Sequence, residues 1–371
     1  MPVLFDIMPK TSRRDLYNFD EELNDLYRGY RSARLIAVVG PRRIGKTSLI
    51  LTFLNEYSVP HVFIDCRRIS SSMYGASFRS FAESFSNAIN DFLNRNTSFV
   101  GKLLEVLKSV RGVEVNAPLA KIYLKWRRRE RFDLISLLES LNTFAEREGV
   151  VIALVFDELQ ELTPLNIDFS KVLAYTYDHL RNIVVIVSGS QVGLLYDVVR
   201  IGEPESPLYG RVLMEVKVRR LSRSEAVDFL EKGFSETSVS VSKYVIEEAV
   251  DRLDGVIGWL TYFGWSYVNG VSDLEAIVEA ASRQEAEEVR RFLAKTRAEK
   301  RYSTILKLLA QKPMKWSEIK RALEFIEGIE IDDHNFNNLL QRLVKANFIE
   351  KRNDYYVIPD PILTTAVQRH I

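Results

Sequence analysis

The sequence predicts an α/β core on a parallel sheet, then an all-helical unit, then a small unit of three helices and a hairpin. Three observations carry this. Short β-branched, apolar runs alternate with helical segments over residues 1–220, the pattern that builds βα units and a parallel sheet. After Leu221 only helical periodicity remains, and from Arg297 the order becomes helix, helix, helix, hairpin. The expected units are therefore 1–220, 221–296 and 297–371.

Strands are expected at 35–39, 62–65, 150–156, 183–188 and 212–218. The first four lack polar alternation, as strands buried on both faces do. The fifth alternates through Val212, Met214, Val216 and Val218, which suits an edge. Helices fall at 46–56, 78–94 and 132–148. The second unit opens on Ser222 with Glu225 three residues later, the form of a capping box. Its helices are expected at 225–232, 242–253, 258–268, 273–281 and 285–295. The last unit has helices at 302–310, 316–325 and 334–346, the third with Leu339, Leu340 and Leu343 on one face. A strand, the turn Arg352-Asn353-Asp354 and a second strand follow. That is the order of a winged helix-turn-helix domain.

A formal net charge of +1 creates no global attraction to nucleic acid or membrane. The one cysteine, Cys66, forms no intramolecular disulfide, and four scattered histidines make no metal cluster. The start MPVLFDIMPKTSRRDLYNF lacks the pattern of a signal peptide. The longest apolar run, 150–156, is far short of the ~20 residues that span a bilayer. A soluble, cytoplasmic protein is expected.

The first expected strand runs into Gly40-Pro41-Arg42-Arg43-Ile44-Gly45-Lys46-Thr47-Ser48. Gly40, Gly45, Lys46 and Thr47 fill every defined position of G-x-x-x-x-G-K-[ST], between a strand and a helix. Glycines let the backbone N–H groups approach phosphate oxygens, and the helix N-terminus adds a favourable dipole. Lys46 is expected on the β- and γ-phosphates and Thr47 on Mg²⁺. The third strand ends in Asp157-Glu158. Asp157 would hold the Mg²⁺ hydration shell, and Glu158 would orient or deprotonate the attacking water. After the fourth strand, Ser190 is the choice for sensing the γ-phosphate, with Ser188 and Gln191 as rivals. Arg211, in the turn before the fifth strand, is a candidate arginine finger, in cis or from a neighbouring subunit. Arg219 and Arg220 are weaker candidates.

Together these motifs resemble the archaeal P-loop ATPases of the STAND class, within the AAA+-like group. The resemblance rests on the phosphate loop, on Phe156-Asp157-Glu158-Leu159-Gln160, on Gly189-Ser190 and on Pro207-Leu208-Tyr209-Gly210-Arg211. It implies a P-loop NTPase core, a helical lid, a winged helix, and ATP or ADP with Mg²⁺ between core and lid. It also implies that Pro9, Arg13 and Arg14 lie near the adenine. The family lid carries a Gly-x-Pro turn, whereas here Ile257 stands at the proline position. The turn shows no arginine of the second-sensor kind, which favours a switch over a ring motor.

Two regions invite nucleic acid. Residues 111–131 hold seven basic residues, Arg111, Lys121, Lys125, Arg127, Arg128, Arg129 and Arg131, with Tyr123 and Trp126 between them. Such a strip joins phosphate contacts to stacking, or is a solvated insertion. The terminal unit counts 13 basic and 10 acidic residues. Its third helix offers His334, Asn335, Asn337, Asn338, Gln341 and Arg342 to a major groove, with Arg342 and Lys345 for phosphates. Asp332 and Asp333 oppose that, and winged helices also dock proteins. The expected function is a Mg²⁺-dependent, ATP-binding and ATP-hydrolysing regulatory switch with slow turnover. The alternatives are a DNA-binding ATPase resembling archaeal replication initiators and a STAND-type protein-interaction scaffold.

Overall fold

The computed structural model describes residues 4–70, 76–116, 118–127, 130–165 and 167–371. Five strands, β1 (Leu35–Val39), β2 (His61–Asp65), β3 (Ile152–Asp157), β4 (Ile183–Gly189) and β5 (Met214–Lys217), form one sheet in the order β2-β3-β4-β1-β5. Every pairing is parallel. All residues of β1, β3 and β4 are buried. Leu35, Ala37 and Val39 pack with the aromatic cluster of helix Phe78–Arg95, while Ile36 and Val38 face Leu49 and Phe53 of helix Lys46–Glu56. Helices on both faces explain the unbroken apolar runs. β5 lies at the edge, and its run is shorter than the expected 212–218: Val212 is exposed, while Val218 is buried and its N–H still meets the Val39 carbonyl at 2.8 Å.

The described residues of 111–131 form two short antiparallel ribbons. Val113–Asn116 pairs with Lys121–Leu124, and Trp126–Arg127 with Glu130–Arg131. The first ribbon lies on helix Phe78–Arg95, with Ile122 and Leu124 buried and Asn90 and Ser86 bonded to its backbone.

The lid comprises helices Arg223–Ser235, Lys243–Leu253, Ile257–Val268 and Leu274–Ala294. The capping box at Ser222 and Glu225 forms as its spacing implies. The helices expected at 273–281 and 285–295 are instead one helix of 21 residues. Nothing between them breaks a helix, and Ser282 turns its hydroxyl back to the Glu279 carbonyl at 2.9 Å. This helix serves two cores: Ile277, Val278 and Ala281 pack in the lid, Val289 and Leu293 in the winged helix.

The terminal unit has helices Glu299–Gln311, Trp316–Glu327 and Asp333–Lys345 and a three-stranded antiparallel sheet with Tyr355–Val357 at its centre. A last helix, Pro361–His370, is capped by Asp360 and lies against the long lid helix. The chain start belongs to the lid as well. Phe5 sits among Phe229 and Phe234, so close to Gly233 and Gly264 that a Cβ there would meet its ring at 2.3 and 2.4 Å. Among the described residues, no helix is long and apolar enough to cross a membrane.

Candidate nucleotide site

The phosphate loop leaves β1 at Val39 and enters helix Lys46–Glu56. Gly45 precedes that helix at φ 95°, in the left-handed region where a side chain is strained. A Cβ on Gly40 would stand 2.4 Å from the Val218 carbonyl. The loop is thus packed tightly from beneath, with Ile44 buried. Lys46, 5% exposed, donates to the Gly40 and Pro41 carbonyls at 3.0 and 2.7 Å. Burial pushes its ammonium below the usual range, while Glu158 and Asp157 pull it back up.

The carboxylates arrive from β3, separated from β1 by β4. Thr47 Oγ1 donates to Asp157 Oδ2 at 2.8 Å, and the Ser188 hydroxyl donates to Oδ1. Burial, reinforced by Glu158, raises the Asp157 carboxyl above its ordinary range. Glu158 adopts a left-handed φ of 58°. Its Oε2 accepts from the Ser190 N–H at 2.9 Å and hydroxyl at 2.7 Å, and from Gln160; Oε1 lies 3.8 Å from Lys46 Nζ. Burial opposes its charge, but Lys46 and these hydrogen bonds prevail and hold it down to about 2.

Lys46, Thr47, Ser48, Glu158 and Ser190 line one pocket of about 310 Å³ with Arg42, Arg43, Ile44 and Gly45. Glu288 closes it from the lid. The loop arginines face that lid. Arg42 pairs with Glu288, and Arg43 Nε donates to the buried Glu285 at 3.0 Å. The Arg43 guanidinium lies 4.0 Å from the Trp259 ring centre, and its carbonyl accepts the Gly258 N–H at 2.8 Å. Ile257, where the resemblance implies a proline, is part-buried between lid and core clusters.

Of the sensing candidates, Ser190 meets Glu158 and the pocket, Ser188 bridges Asp157 and the Glu158 N–H, and Gln191 precedes helix Val192–Val199. Other expected residues do not line this pocket. Arg211 is outside the pocket lining, its Nε and Nη2 donating to Asp178 at 2.9 and 2.5 Å. Arg219 grips Glu225, and Arg220 meets Asp254 and the Pro359 carbonyl. Pro9 is exposed, Arg13 pairs with Asp20, and Arg14 pairs with Asp15. The neighbouring Lys10 N–H donates to Ser48 Oγ at 3.1 Å.

Lys345 extends from the winged helix to the core, where its Nζ meets Asp197 at 2.7 and 3.0 Å. Arg342 is exposed. In the ribbon, Arg111, Lys121 and Tyr123 are exposed and Lys125 lies 3.3 Å from Glu114. Arg128 and Arg129 lie outside the described residues, as do the side chains of Trp126, Arg127 and Arg131.

Sequence reasoning missed Arg67 and Glu161, which also line the pocket. Arg67 Nη2 donates to Asp157 Oδ2 at 3.1 Å. Its signal was its place two residues after the end of β2, a strand whose neighbour only the fold reveals.

The residues present fit the expected ligands. The loop offers backbone N–H groups at a helix start, the arrangement that holds phosphate. The Thr47 hydroxyl and Asp157 carboxylate converge as hard oxygen donors, the kind Mg²⁺ takes together with phosphate oxygens. Among the described residues, no group of three or more His, Cys, Asp or Glu side chains forms a separate metal site.

Comparison with known proteins agrees with this arrangement. A family model described as "ATPase domain predominantly from Archaea" matches residues 16–263. A second, described as "MCM protein C-terminal winged helix-turn-helix domain", matches residues 296–358. A search of curated proteins finds no match. Among solved structures, the chain is similar to a Walker-type ATPase of Pyrococcus abyssi: 31% identity, TM-score 0.82, covering 98% of this chain and 99% of that one. The ORC2 protein of Aeropyrum pernix, solved as ADPNP–ADP complexes, shares the fold at 14% identity and TM-score 0.62, covering 98% of this chain and 95% of its own. With most of its length matched and its phosphate loop, paired carboxylates and winged helix in hand, the chain belongs to the family of ATPase domains found predominantly in Archaea.

Proposed function

We propose that the chain is a Mg²⁺-dependent ATP-binding and ATP-hydrolysing switch, in which the nucleotide governs how the lid and winged helix sit on the core. The observation that carries this reading is the pair of phosphate-loop arginines bonded to Glu285 and Glu288 of a helix that the lid and winged helix share. Any change in the loop reaches both units through one rigid element.

In this reading Lys46 releases its loop carbonyls and neutralises phosphate charge. Thr47 and Asp157 hold Mg²⁺, which when bound neutralises charge on the β- and γ-phosphate oxygens. Glu158, ionised and fixed by Ser190 and Gln160, orients a water through Oε1. The water oxygen bonds to the γ-phosphorus as the bond to the β–γ bridging oxygen breaks, giving ADP and phosphate. Glu158 orients the water, and the water's proton ends on the phosphate product. Ser190, bonded to Glu158, reports loss of the γ-phosphate to helix Val192–Val199.

The test compares nucleotide binding and turnover in Lys46→Ala and Glu158→Gln. Lys46→Ala is expected to lose ATP binding. Glu158→Gln is expected to keep it while turnover falls by ~100-fold or more. Unchanged turnover in Glu158→Gln would remove Glu158 from the mechanism.

A second reading, duplex-DNA binding, draws support from the winged-helix match and from exposed Asn335, Asn337, Asn338, Gln341 and Arg342 on one helix. It requires Lys345 to leave Asp197. ATP turnover that rises with duplex DNA, in a salt-dependent way, would favour it over a protein partner.

A further inference from the structure

We propose that Arg67 is a cis-acting arginine of the nucleotide site, passed from Asp157 to the γ-phosphate when Mg²⁺ and ATP bind. The proposal rests on the ATPase reading above.

Sheet register puts Arg67 there. Asp65 pairs with Asp157 across β2 and β3, and Arg67 follows in the short helix Cys66–Ser70. Its Nε and Nη2 donate to Asp65 Oδ1 and Oδ2 at 2.8 and 3.0 Å, a two-pronged grip that aims the guanidinium. Nη2 also reaches Asp157 Oδ2 at 3.1 Å. The side chain is half exposed and lines the same pocket as Lys46, Thr47, Glu158 and Ser190.

The other candidate cations, in the pocket or, like Arg211, outside it, are engaged elsewhere. Lys46 sits on the loop carbonyls, Arg42 and Arg43 are paired with the lid, and Arg211 is on Asp178. Through its bond to Asp157, Arg67 faces the carboxylate end, where charge collects on the transferred phosphoryl group.

Asp157 Oδ2 accepts from both Thr47 Oγ1 and Arg67 Nη2. A cation and its water shell held by Thr47 and Asp157 would compete with Nη2 for that oxygen. Asp65 still holds the Nε and Nη2 edge through Oδ1 and Oδ2, and the Nη2 hydrogen that Asp157 gives up is left for a phosphate oxygen. A planar guanidinium with one edge anchored is suited to a phosphate oxygen. Arginines in this role contribute ~10³–10⁵-fold to phosphoryl transfer.

The experiment uses the full chain with Arg67→Ala and Arg67→Lys. It measures ATP turnover and, separately, equilibrium binding of fluorescent ATP and ADP analogues across a Mg²⁺ titration. Arg67→Ala should lose turnover by at least ~100-fold and lose most of its preference for ATP over ADP. Its ADP affinity should stay within about 3-fold, and the Mg²⁺ half-saturation for binding should fall, because the competing cation on Asp157 is gone. Arg67→Lys, a point charge without the fork, should recover under about a tenth of the turnover while folding as wild type. The proposal is overturned if Arg67→Ala turns over ATP within about 3-fold of wild type. It is also overturned if Mg²⁺ half-saturation rises with ATP preference unchanged, the result for a residue that only positions Asp157. If wild type binds but does not hydrolyse ATP, the ATPase reading fails, and the ATP-to-ADP preference alone decides Arg67. Should Arg67→Ala not fold, the Arg67→Lys binding curves decide.

Discussion

Glu158 and His61 illustrate how single groups tie this core to pH. Glu158 is held down to about 2 from an ordinary 4.5, so its share of stability is present above pH 4.5 and lost toward pH 2. His61 is buried at the start of β2. Its Nδ1 donates to the Val59 carbonyl at 2.7 Å, and Arg95 meets Nε2. Burial, opposed by the Val59 bond and aided by Arg95, lowers it to about 4 from 6.5. The unfolded chain therefore binds the proton first, and the stability this residue supports is lost as pH falls from 6.5 toward 4. Denaturant melts at pH 7 and pH 4 should differ by on the order of 2–3 kcal/mol through His61. His61→Asn should flatten that interval. Lys46, Thr47, Asp157 and Glu158 were legible because adjacent positions in the chain define them. Arg67 was not, because its partner Asp157 lies on a strand whose place beside β2 is a fact of topology.

Elements were legible where one face has one neighbour. Helix Lys46–Glu56 has the bounds expected for it. The long lid helix was read as two because its middle, Ser282-Arg283-Gln284, is polar, while the apolar stripe that continues through it changes partner from one core to the next. The last helix went unread because Asp360-Pro361 looks like an ending; proline fits the first turn, where its missing N–H costs nothing. The loop-to-lid joint gives the test at this scale. Arg43→Ala leaves Glu285, 5% exposed, without its guanidinium. Losing a partner from a fully buried pair costs ~3–5 kcal/mol; Arg43 is about a third exposed, so about 1–3 kcal/mol is expected. Thermal melting of Arg43→Ala, with Arg43→Lys beside it, measures that loss. An unchanged melt would mean that loop and lid are not joined here.

At the scale of the molecule, the winged helix lies against the core as well as the lid. A Cβ on Gly193 would stand 2.7 Å from Lys345 Cα, so the helices Val192–Val199 and Asp333–Lys345 touch through a glycine. The Lys345–Asp197 pair beside it is over two-fifths exposed at both ends, worth ~0–1 kcal/mol. Asp197→Ala should therefore leave the arrangement closed, and Gly193→Leu should wedge it open. Small-angle scattering would register the second as a larger radius of gyration; equal radii would place the hold elsewhere, at Arg220 and Pro359 or along the long helix. None of this contact was legible, since neither Gly193 nor Asp197 belongs to a motif.

The anchoring of Phe5 in the lid has a mechanical consequence. The chain crosses from core to lid at Leu221, whose N–H meets the Gly255 carbonyl, and it crosses a second time between Phe5 and Lys10, the latter bonded to Ser48. A body pinned to another at two separate points keeps one rotational degree of freedom, about the line that joins the pins. In the proposed switch, once the loop arginines let go of Glu285 and Glu288, the lid would be a door on two hinges, not a weight on a string, and its motion would be a swing along a single arc shared with the winged helix.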